Sequence, residues 1–109
     1  MLMHLSRESV SNGDDYDRCA DLEYQEGEML STFLRSKVSI FLPYTNGLTV
    51  WSIYMDSEEN QEISEREASE KKVAFIHKIE NRCAKVEIKG GDRAVSSFGT
   101  DKMYCAVYR

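Results

Sequence analysis

Proline is almost missing from this chain, with one in 109 residues, and no apolar run approaches the roughly 20 residues of a membrane-spanning helix. A proline-rich linker and a transmembrane helix are therefore excluded. The opening Met1-Leu2-Met3-His4-Leu5 is too short for the apolar core of a secretory signal. Cysteine is scarce as well. Cys19, Cys83 and Cys105 are odd in number and widely spaced, with no Cys-x-x-Cys pair, which argues against a disulfide framework or a zinc ribbon. Reduced thiols in a cytoplasmic protein are the expectation. A glycine-rich phosphate loop, a nucleophile elbow and a zinc-protease signature are all lacking, so no residue is read as catalytic and neither a metal nor another cofactor is expected.

What is present is a composition that folds. Hydrophobic residues make up 41% and charged residues 30%, at a length that suits one domain with one core. We read 1–15 as a polar lead-in and 16–109 as that domain. The net charge of −5 is unevenly spread: residues 1–70 hold 15 acidic and five basic side chains, and residues 71–109 hold four acidic and nine basic. Such a split fits either an anion-binding face or two parts that neutralise each other within one fold.

Apolar residues at helical spacing (Leu22, Met29, Leu30, Phe33, Leu34) predict a helix that starts near Asp14 or Asp15 and closes at Arg35 and Lys37, with Gly27 as a weak point. Asn46-Gly47 has the chemistry of a two-residue type I′ turn and predicts a β-hairpin over 38–55. In its register Val38, Ile40 and Leu42 face Met55, Ile53 and Trp51, with Phe41 and Tyr54 on the reverse side. Residues 56–70 are acidic, with a Ser64-Glu65-Arg66-Glu67 capping box, and predict an exposed helix or else a mobile loop. A second hairpin is expected at 73–79 and 83–89 around Asn81-Arg82, which puts Phe75 and His77 on the core side and Ile76, Lys78 and Lys85 on the reverse. A last strand at 102–108 sends Met103, Cys105 and Val107 one way and Tyr104, Ala106 and Tyr108 the other. The expected fold is α+β in two layers, an N-terminal helix packed on an antiparallel sheet of about five strands.

One helix cannot cover both sides of such a sheet. Phe41, Tyr54, Ile76, Tyr104 and Tyr108 are therefore read as an aromatic interface for another protein or a second copy, since tyrosine pairs a large apolar body with a polar tip. The leading functional expectation is a small non-enzymatic interaction protein, a homodimer or a binder of accessory, inhibitor or immunity type. Two alternatives come from other classes. His77, ionisable on an apolar face, would suit a pocket in a small enzyme or ligand binder. Lys78, Arg82 and Lys85 near aromatic rings would suit anion or single-stranded nucleic-acid binding, which the overall acidity opposes.

Overall fold

Six segments of alternating apolar and polar side chains pair into one mixed sheet. In the computed structural model, which describes residues 1–9, 18–58 and 64–108, they are β1 (Leu2–Arg7), β2 (Cys19–Glu23), β3 (Leu48–Met55), β4 (Lys72–Ile79), β5 (Arg82–Ile88) and β6 (Lys102–Val107). Their spatial order is β2-β1-β6-β3-β4-β5, with every neighbouring pair antiparallel except β1 and β6, which run parallel. The expectation of an N-terminal helix on five antiparallel strands is thus overturned. Within 19–23 the helical periodicity loses to a two-residue alternation that turns Ala20 and Leu22 toward the core and Cys19, Asp21 and Glu23 away from it. Residues 2–7, read as part of a lead-in, form a strand with Met3 and Leu5 fully buried. The expected helix start at Asp14 or Asp15 lies outside the described residues.

The helix sits in the middle of the chain. It runs as α1 (Leu30–Phe33), a π-helical turn (Leu34–Val38) and α2 (Ser39–Phe41). Leu30, Leu34, Val38 and Leu42 recur every four residues and are 0–2% exposed, whereas Ile40 is 79% exposed. The same apolar residues satisfy a period of two and a period near four, and the longer one wins. The expected strand at 38–43 is therefore helix, and the hairpin over 38–55 does not form. Pro43 ends the helix by forcing Leu42 into an extended conformation, ψ 142°. Asn46-Gly47 still turns the chain, with Gly47 at φ +70°, but it leads into β3 and its carbonyl accepts the Glu80 amide at 3.0 Å.

The helix start has a cap from far along the chain. Asp92 accepts the Ser31 amide at 3.0 Å and the Ser31 hydroxyl as well, while the Leu30 amide donates to the Arg93 carbonyl at 2.8 Å. Its other end is clamped by Lys78, 1% exposed, whose Nζ donates to the carbonyls of Ser39 at 2.9 Å and Leu42 at 3.0 Å. The inner sheet face carries Met3, Leu5, Trp51, Ile53, Ala74, Ile76, Met103 and Cys105, all fully buried and in one core with Leu30, Phe33, Leu34 and Val38. The acidic segment contributes α3 (Glu65–Lys71), where the Ser64 hydroxyl caps the Glu67 amide at 3.2 Å. Among the described residues no helix is long and apolar enough to cross a membrane.

Candidate functional site

The sheet face turned away from the helix is where unusual side chains collect. On β3 it carries Val50, Ser52 and Tyr54, on β6 Tyr104 and Ala106, and on β4 Phe75 and His77. Tyr54 pairs with Tyr104 across β3 and β6, and their rings lie 6.3 Å apart at 33°. Phe75 meets Tyr108 edge to face at 5.6 Å and 87°. Between the two pairs stands Lys72, its Nζ 5.7 Å from the Tyr54 ring, 5.4 Å from Phe75 and 5.7 Å from Tyr108.

Lys72 reaches this place through a backbone irregularity. Ile53 pairs with Ala74 but Tyr54 pairs with Lys72, so Val73 is an extra residue in β4. The bulge turns Lys72 from the core side to the outer side. Below the aromatic cluster the face continues as Leu48, 62% exposed, and Ile79, 40% exposed, which pair across β3 and β4.

Beside the Phe75–Tyr108 pair is a cavity of about 300 Å³ lined by Val50, Phe75, His77, Glu87 and Tyr108. Glu87 Oε2 lies 3.3 Å from His77 Nε2 and its Oε1 lies 2.8 Å from Lys85 Nζ. Lys85, and after it His77, holds the Glu87 carboxyl below the usual glutamate value. His77 Nε2 has no solvent access, and its approach to Glu87 is not aligned as a hydrogen bond. A larger open cavity of about 530 Å³ lies elsewhere, bordered by Asp56, Thr100, Asp101 and Lys102 among others. Thr100 donates to Asp56 there at 3.3 Å, and Lys102 pairs with Glu58 at 3.2 Å. Among the described residues no cluster of three or more His, Cys, Asp or Glu side chains is arranged to hold a metal ion.

The residues expected at a site are divided by this geometry. Tyr54, Tyr104 and Tyr108 come together on the outer face. Phe41 is half-buried at the end of α2, against the core, and Ile76 is fully buried on the inner face. The reason for Ile76 is a bulge beside the turn of the second hairpin. Glu80-Asn81 makes its turn, with Glu80 at φ +57°, so Ile79 pairs with Arg82, but the register then shifts between His77 and Lys78, which leaves Ala84 as an extra residue in β5 and sets His77 opposite Lys85. That register exchanges the two faces of β4 relative to the expected one. His77 and Phe75 thereby move to the outer face, and Lys78 moves into the core. Burial lowers the Lys78 amine below the ordinary lysine value, against a smaller opposing effect of Cys83. Of the expected cationic trio only Arg82 and Lys85 stay exposed.

Phe75, Lys72, Glu87, Leu48 and Ile79 went unseen as site residues. The alternation Leu48, Val50, Ser52, Tyr54 marks Leu48 as outward once β3 is anchored by Trp51 and Ile53. Nothing local in the sequence marks the bulge that presents Lys72. The three cysteines are all free: Cys19 is exposed, Cys83 half-buried, and burial pushes the Cys105 thiol up to about 12. Comparison with family models, curated proteins and solved structures finds no match to this chain.

Proposed function

We propose that this chain is a protein-binding module that docks a partner protein on the outer face of its sheet, and that it acts in the reducing cytoplasm. The observation that carries the reading is the Tyr54–Tyr104 and Phe75–Tyr108 pairs gathered around Lys72. Tyr108 is 57% exposed, and the apolar surface continues through Leu48 and Ile79. Contiguous aromatic and aliphatic surface on a folded domain favours partner binding, and tyrosine anchors contribute a large share of interface energy. Lys72 adds selectivity, because a partner must leave it bonded or solvated on docking.

The test places a photo-crosslinking residue at position 108 or, as a control, at the exposed Ile40 on the helix side. A partner captured from 108 and not from 40, and lost on Tyr54→Ser with Tyr108→Ser, is the expected result. Each tyrosine removed should weaken binding by about 1–2 kcal/mol. Equal capture from both positions overturns the reading.

A second reading, a small-ligand binder, draws on the 300 Å³ cavity with the His77–Glu87 pair in its wall. That volume is at the lower end for small-molecule sites. Fragment-induced NMR shifts confined to Val50, His77 and Tyr108 would favour it over the protein-binding one.

A further inference from the structure

β5 is the last described strand of the sheet, and its bonds to β4 set the phase of its free edge. The Lys89 amide donates to the Val73 carbonyl at 2.8 Å, which makes 73 and 89 a hydrogen-bonded pair. The same register continues as Ala74 with Ile88, Phe75 with Glu87 and Ile76 with Val86. Lys85 and Glu87 therefore turn their N–H and C=O groups toward β4, while Val86 and Ile88 turn theirs outward. Among the described residues no strand lies beyond β5, and none bonds to those outward groups. Such a row of open donors and acceptors is a template for another strand.

We propose that β5 pairs antiparallel with β5 of a second copy, about a two-fold axis at Val86, so that two six-stranded sheets become one continuous sheet. The register follows from charge and from the length of the strand, since an axis at Ile88, although it would set Glu87 opposite Lys89, would run the pairing into the turn at Gly90-Gly91. Outward backbone groups bond only to outward groups, so the possible registers step by two residues. An axis at Lys85 sets two ammonium groups against each other, and an axis at Glu87 sets two carboxylates against each other. An axis at Val86 sets Lys85 opposite the partner's Glu87 twice, as non-hydrogen-bonded pairs whose side chains approach closely. It also brings the two Val86 side chains, half-buried on the inner face, side by side. Each Glu87 then lies among its own Lys85 and His77 and the partner's Lys85. A two-fold axis normal to the sheet keeps the two aromatic faces on the same side, which gives a bivalent docking surface. The pairing lies beyond the docking reading above, since it uses the edge and not the face.

An edge contact buries little area, so association is weak and concentration-dependent. Sedimentation equilibrium over a wide concentration series at low salt, with far-UV circular dichroism to confirm folding, tests it. The wild type is expected to dimerise, and rising salt weakens the dimer. Lys85→Glu alone and Glu87→Lys alone should each raise the dissociation constant roughly tenfold or more. The equimolar mixture of the two variants should recover association, because every cross-strand pair is again of opposite charge. Tyr108→Ser should associate as the wild type does. A wild type that stays monomeric, single variants that dimerise unchanged, or a mixture that fails to recover would each overturn the proposal.

Discussion

Replacing Lys78 by methionine tests how the helix is held to the sheet. The side chain of Lys78 spans from β4 to the C-terminal end of the helix, where its ammonium donates to the Ser39 and Leu42 carbonyls in a site 1% exposed. Methionine keeps the apolar stem but leaves two carbonyls without that donor. Each orphaned buried acceptor costs about 1–3 kcal/mol, while removing the ammonium relieves its desolvation. The expected net loss is about 2–3 kcal/mol, and Lys78→Ala should lose about 1–2 kcal/mol more through the missing stem. Trp51, the single tryptophan and fully buried, reports urea unfolding directly. The pH dependence carries a sign. Because burial lowers the Lys78 pKa below its ordinary 10.5, the folded state releases this proton before the unfolded state does. Below the lowered value both states hold the proton, and the desolvation penalty is felt in full. Between it and 10.5 the unfolded state holds more protons, so wild-type stability rises with pH relative to the methionine variant. A variant within about 0.5 kcal/mol of the wild type, with no alkaline divergence, would refute the clamp.

Substitutions at three further positions probe the helix. Asp92→Ala should cost about 0.5–1 kcal/mol, the low end for a capping residue because this one is exposed, while Asp92→Asn keeps most of the cap. Its Ser31 contacts hold the Asp92 carboxyl below the ordinary 3.8, so its contribution is present above that pH and fades as acid titrates the folded carboxylate. Acid unfolding curves of wild type and Asp92→Ala should therefore converge, and parallel curves would contradict the cap. Ile40→Ser, on the exposed side of the helix, should change stability by no more than about 0.5 kcal/mol, whereas Val38→Ala should cost about 2 kcal/mol or more. Chemical denaturation decides; a core-like cost for Ile40→Ser would mean that 38–43 is a strand after all.

Parts of this arrangement were legible because they depend on local pattern alone. The alternation of Met103, Cys105 and Val107 against Tyr104, Ala106 and Tyr108 gives β6 its two faces, and the Ser64–Glu67 box gives α3 its start. The segment 38–43 was ambiguous in a definite way. Val38, Ile40 and Leu42 alternate, yet Leu30, Leu34, Val38 and Leu42 also form one helical stripe, and tertiary contacts decide between them. Lys78 is one of those contacts, 36 residues from the Leu42 carbonyl it holds. The outer aromatic cluster was half visible. Tyr54, Tyr104 and Tyr108 follow from strand alternation, but Phe75 and His77 depend on a one-residue bulge at Ala84, just past the hairpin turn. Nothing at Ala84 announces that bulge, and the positive φ of Glu80 in the turn before it has no glycine to announce it either. Lys72 depends on a bulge that only the pairing of β3 with β4 creates.

The strand order also governs how the chain can fold. β6 lies between β1 and β3, so among the described strands it alone joins the β2-β1 pair to the β3-β4-β5 meander. Without β6 the sheet would fall into two parts with open edges at β1 and β3, and β1 closes its parallel pairing only with a strand about a hundred residues further along the chain. Loop closure over that distance is slow, so the rate-limiting event is expected to be the insertion of β6 as a keystone. Until then the two fragments are the species most exposed to mispairing with other chains.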